Sequence, residues 1–162
     1  MHREKMKKIK YREWKLIVDS ELTKLTYDNV VVGSPESCNC NDCRNFANNR
    51  EEIYPGEIKK LFNELGIDYK KENEICHYCR QDDGLHFYGG WFHFKGRFNG
   101  KDCTVPTTSN GYTLELTPIN DKFSIGFHYS SALSFFDNKE SLVQIEFETK
   151  VPWTIEKELE SE

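Results

Sequence analysis

Leu85–Phe98 reads LHFYGGWFHFKGRF, Lys122–Tyr129 reads KFSIGFHY and Ser141–Lys150 reads SLVQIEFETK. In an extended chain successive side chains point to opposite faces. Trp91, His93 and Lys95 therefore share one side of the first stretch, and Phe92, Phe94 and Phe98 the other. In the second, Phe123, Ile125, Phe127 and Tyr129 alternate with Lys122, Ser124, Gly126 and His128. In the third, Val143, Ile145 and Phe147 alternate with Gln144, Glu146 and Glu148. Such alternation predicts an antiparallel sheet with one packed face and one wet face. Gly89-Gly90 reads as a turn or bulge, since glycine accepts positive φ and close backbone approach.

Working outward, Tyr112–Thr117 reads as a further strand, and strand character begins again at Ile75. Near the start, Tyr11–Asp19 is a strand with Trp14, Leu16 and Val18 on one face, and Tyr27–Val32 reads as a second. Gly33, Ser34 and Pro35 break the pattern. Ser34–Phe46, SPESCNCNDCRNF, is a polar, cysteine-studded loop running into a short helix through Asn45 and Asn48. A clear helix follows. Pro55 suits its first position, Ile58, Leu61, Phe62 and Leu65 form one apolar face, and Gly66 stops it. The expected fold is α+β: a mainly antiparallel β-sheet with one or two packed helices and a Cys-rich loop. It forms a single domain over residues 1–162, with a flexible basic arm at 1–10 and a flexible acidic tail at 155–162.

The chain has 162 residues, and its 11 Phe, 8 Tyr and 3 Trp should supply much of the core. A net charge of -5 argues against a general nucleic-acid binder. The charge is uneven, however, because Arg3, Lys5, Lys7, Lys8, Lys10 and Arg12 face one Glu in the first twelve residues. No apolar run approaches the roughly 18 residues of a membrane helix. There is also no signal-peptide pattern, so the expected location is cytoplasmic. Six cysteines in that setting should be reduced thiols.

Cys38, Cys40 and Cys43 form C-x-C-x-x-C, and Cys76 and Cys79 form C-x-x-C after 32 intervening residues. Two such pairs are the usual plan of a structural zinc site, each placing two thiolates on one ion. Cys40, Cys43, Cys76 and Cys79 are the preferred ligands, with Cys38 as substitute and His77 and His86 as weaker candidates. An iron–sulfur cluster would use the same residues. The competing reading is free thiols, with Cys76 and Cys79 on opposite faces of a strand.

Tyr88, Trp91, His93, Lys95 and His128 are candidates for a pocket that takes a planar or anionic ligand. The plainer alternative is that the histidines are ordinary sheet residues. Cys103, His93 and Glu146 are raw material for nucleophilic chemistry. The serine-hydrolase elbow, P-loop, dinucleotide fingerprint, H-E-x-x-H and zinc-deaminase motifs are all absent.

On SPESCNCNDCRNF (Ser34–Phe46), YPGEIKKLFNELGID (Tyr54–Asp68), DGLHFYGGWFHFKG (Asp83–Gly96) and LVQIEFETKVPW (Leu142–Trp153), the chain resembles a family of small uncharacterised proteins. These come from low-GC Gram-positive bacteria and their phages. The resemblance implies a cytoplasmic, stand-alone domain and carries no activity with it. Three functions are in view. One is a non-catalytic, zinc-stabilised domain binding a protein or a small, nucleotide-like ligand. The second is a small hydrolase using His93 and His128. The third is a nucleic-acid binder using the basic arm.

Overall fold

The computed structural model describes residues 5–162. Strands β1 (Lys7–Tyr11) and β2 (Trp14–Val18) form a hairpin, followed by helices α1 (Ser20–Asp28), α2 (Ser34–Cys38), α3 (Asn41–Ile53) and α4 (Gly56–Leu65). Then come β3 (Glu74–Arg80), β4 (His86–Asn99), the small β5 (Thr104–Pro106) and β6 (Tyr112–Leu114), β7 (Thr117–Pro118), β8 (Phe123–Tyr129) and β9 (Leu142–Val151). One seven-stranded sheet runs β1-β2-β4-β9-β8-β7, with β3 also on β4; β5 and β6 pair separately. Every pairing is antiparallel. No helix among the described residues is long and apolar enough to cross a membrane.

The helices cover one face of the sheet, hereafter the inner face. Tyr54 packs edge-on against Phe92, Phe123 and Phe147, and Phe62 lies 4.8 Å from Phe92 between ring centroids. Burying each such ring contributes about 1.5–3 kcal/mol. In α4 the expected face of Ile58, Leu61, Phe62 and Leu65 is buried, and Gly66 closes the helix in the left-handed region at φ 89°. Pro55 sits one position earlier than expected, as the N-cap.

Several expectations change. Tyr27–Val32 is not a strand: Tyr27 is buried at the end of α1, one turn after Thr23, and Asp19 caps that helix by accepting from the Leu22 N–H at 3.0 Å. The β-branched run Val30–Val32 suggests a strand, but Val31 and Val32 are exposed and pack no sheet. The cysteine-rich stretch is two helices, not a loop with one. Gly89-Gly90 is neither turn nor bulge, since β4 runs through it unbroken. The pair allows close approach instead: a Cβ at Gly89 would meet the Tyr78 ring, and one at Gly90 the Phe147 ring. The bulge lies opposite, between His77 and Cys79.

The basic arm is strand from Lys7 onward, while Arg3 lies outside the described residues. The acidic tail is also held. Lys157–Leu159 make a 3-10 turn, and Glu160 accepts from His86 Nε2 at 2.8 Å. Finally, the second face of the sheet is not wet along its middle. Cys103 and Leu116 press on Gly126. The segment 130–141 is bonded to Trp91 and Lys95. His93, His128, Gln144 and Glu146 are consequently buried.

Candidate metal centre

Helix α2 ends at Cys38, Asn39 turns the chain in the left-handed region at φ 56°, and Cys40 becomes the N-cap of α3. Asparagine tolerates that conformation better than most residues. Cys40 Sγ accepts from the Cys43 N–H at 3.5 Å. This tight helix–turn–helix brings the sulfurs of Cys38, Cys40 and Cys43 within 4.8 Å of one another. Cys38 and Cys40 are exposed and Cys43 is buried. The Cys40 backbone N–H, followed by the Cys40 and Cys43 thiols, holds the Cys38 thiol below its usual range. Burial pushes Cys43 the other way. Cys40 and Cys43 sit at the positive end of a 13-residue helix, where thiolates are favoured.

The turn is fixed by a buried charge cluster that sequence reading missed. The Arg50 guanidinium on α3 donates Nη1 and Nη2 to Glu36 on α2 at 2.7 and 2.9 Å. It also donates Nε and Nη2 to Glu72 at 3.0 and 2.8 Å, and Tyr54 Oη donates to Glu72 at 2.8 Å. Arg50 holds the Glu36 carboxyl below its ordinary range. Burial pushes Glu72 up, while Arg50 and Tyr54 draw it back part of the way. The only signal in the sequence is that Arg50 follows Cys43 by seven residues, on one side of a helix.

Cys76 and Cys79 do not join the cluster. Across the β3–β4 pair Cys76 opposes Gly89 and Cys79 opposes Phe87, both on the outer face, whereas His77 opposes Tyr88 on the inner face. The bulge explains why two cysteines three apart share a face, where a regular strand would have separated them. The sheet thus lies between these two sulfurs and the other three. His77 does approach from the inner side: its Nδ1 is 3.7 Å from Asp42 Oδ2, and its Nε2 is 2.8 Å from His86 Nδ1. Asp42 Oδ1, next to the cluster in sequence, is buried without a hydrogen-bond partner among the described residues.

The expected ligand residues divide in the same way. Trp91, His93, Lys95 and His128 belong to the outer face. Tyr88 belongs to the inner one, its hydroxyl donating to the Asp42 carbonyl at 2.8 Å. His93 and His128 are linked through side chains on β9. His93 Nε2 is 2.9 Å from Gln144 Oε1, Gln144 donates to Glu146, and His128 Nε2 is 2.9 Å from Glu146 Oε1. Burial lowers His93 to about 4. Among the described residues its Nδ1 has no hydrogen-bond partner. Cys103 lies on this face as well, and burial pushes its thiol up to about 12, which leaves it a poor nucleophile at neutral pH.

Comparison with family models, with curated proteins and with solved structures gives no match for this chain.

Proposed function

We propose that this protein is a metal-binding domain whose Cys38, Cys40 and Cys43 thiolates take one zinc ion, and that it acts as a binding module, not as an enzyme. The observation that carries this reading is the approach of the three sulfurs to within 4.8 Å on a braced turn. A three-thiolate donor set suits zinc and other thiophilic ions over magnesium or calcium. Bound there, zinc would supply stabilisation of the α2–α3 turn and one free coordination position. The residues themselves do the rest. Cys40 and Cys43 present their sulfurs from the first turn of α3, and the Arg50 cluster keeps α2 against it. Exposure of Cys38 and Cys40 leaves room for water or for a donor from a protein or small-molecule partner.

The test is metal content by elemental mass spectrometry on protein purified without chelator. The expected result is one zinc per chain, lost in Cys40→Ser and retained in Cys76→Ser/Cys79→Ser. Cobalt substitution should give the intense charge-transfer bands of thiolate ligation. Absence of metal from the wild type, or loss of zinc only in the Cys76→Ser/Cys79→Ser variant, would overturn the assignment. Iron and sulfide in place of zinc would mean a cluster instead.

A further inference from the structure

Positive charge gathers on the outer face of β1, β2 and the end of β4. The pairing register sets Lys10, Lys15 and Asn99 in one cross-strand row and Lys8, Ile17 and Arg97 in the next. Directly opposed residues point to the same face with Cβ atoms about 5 Å apart, and rows two residues apart are separated by about 7 Å. Four cations thus share a patch of roughly 10 by 7 Å around one aliphatic side chain. Ile9, Tyr11, Trp14, Leu16 and Val18 are buried on the opposite face of the same strands. That burial locks the register and forces the charged side chains outward.

Lys8, Lys10, Lys15 and Arg97 are all exposed. Among the described residues none of the four makes an ion pair. A groove of about 430 Å³ runs along the patch, lined in part by Lys8, Lys10, Lys15, Ile17 and Asn99. Lys10 and Lys15 oppose each other directly, an arrangement that repels. The chain carries 27 acidic against 22 basic residues, so this local excess runs against its overall balance. Lysines on β1 alone would discourage edge-to-edge association of the sheet. That role does not account for Lys15 and Arg97 on the strands behind it.

We infer that this face binds the phosphodiester backbone of a nucleic acid, by charge and not by sequence. A stacked strand of nucleic acid carries one charge per roughly 3.4 Å of axis, so about four phosphates span 10 Å, one for each cation. Lysines act as point charges towards phosphate. An acidic peptide rarely sustains that density. The site lies across the sheet from the cysteine cluster and does not depend on metal.

The test is fluorescence anisotropy of a labelled single-stranded oligothymidylate with the full chain, between 50 and 200 mM salt. Four neutralised phosphates give a slope of log affinity against log salt near −3, or about 50-fold weakening over that range. Lys10→Gln/Lys15→Gln should halve the slope and melt no lower than wild type, since it removes a repulsive pair. Lys60→Gln/Lys70→Gln, on the helical side, should bind as wild type does. No binding at 50 mM salt, or an unchanged slope in Lys10→Gln/Lys15→Gln, would overturn the inference. Equal competition by polyglutamate of matched charge would also overturn it, and would assign the face to an acidic protein.

Discussion

Replacing Arg50 by Met removes the four donor contacts that hold Glu36 and Glu72. The two acids respond differently because they are buried differently. The Glu36 side chain is 37% exposed, and water can replace its partner, so its share is under about 1 kcal/mol. The Glu72 side chain is 0% exposed and would keep only the Tyr54 hydroxyl and backbone contacts. Removing one partner of a buried pair costs about 3–5 kcal/mol. We therefore expect Arg50→Met to lose about 4 kcal/mol in urea unfolding at pH 7.5, with unchanged denaturant slope, and to melt roughly 8–16 °C lower. Adding Glu72→Gln removes the stranded charge and should restore about half of the loss. The sign of the pH effect follows. In Arg50→Met the native Glu72 binds its proton more tightly than the unfolded chain does. The penalty is then full above the native pKa and fades as pH falls towards the ordinary carboxylate range. A loss below 1 kcal/mol, or a double variant no better than the single one, would refute the view that Glu72 is charged and dependent on Arg50.

His93 titrates near 4 in the fold against 6.5 when free. The fold favours its neutral form, so stability is full above pH 6.5, and about 3 kcal/mol is lost as pH falls to 4. The pH dependence of urea midpoints in wild type and His93→Gln checks this. Gly126→Ala places a Cβ 2.6 Å from Cys103 Cβ and from Leu116 Cδ2. Overpacking of that kind costs about 1–3 kcal/mol, measurable by thermal unfolding. His86 holds the Glu160 carboxyl below its usual range. Docking of the tail is thus supported at neutral pH and lost as acid protonates Glu160. The emission of Trp153, whose ring lies 5.0 Å from His86, should shift on acidification and already at neutral pH in Glu160→Gln.

The sheet was legible because β8 and β9 alternate along most of their length, and α4 because its stop residue and apolar face agree. Two kinds of feature were not. The outer face carries the polar residues of an ordinary wet surface, and nothing in the spacing of His93, Gln144, Glu146 and His128 shows that the connecting segments around Cys103, Leu116 and 130–141 will fold back over them. The sorting of the cysteines depends on a single-residue bulge, which reverses the facing of Cys79 without leaving any mark in composition. The three-cysteine part of the site was visible in its spacing. Its brace was not, since Glu36, Arg50 and Glu72 become neighbours only when three elements pack together.

Helix α3 is fastened to the far end of the chain. Asn45 Nδ2 donates to the Pro152 carbonyl at 3.0 Å, the Thr154 N–H donates to Asn45 Oδ1 at 2.8 Å, and Asn49 Nδ2 reaches Thr154 Oγ1 at 2.9 Å. These contacts join positions more than 100 residues apart. During synthesis, α3 can form its own turns early, but its docked position waits until residue 154 has left the ribosome. Strand β9, which pairs with both β4 and β8, must arrive first. Closure of such distant segments is slow, so the nascent chain passes through a period in which its cysteine-bearing helices are made but not seated. A truncation just before Pro152 should therefore behave as a folding defect that unseats the cysteine-bearing helices, not as the loss of a dispensable tail.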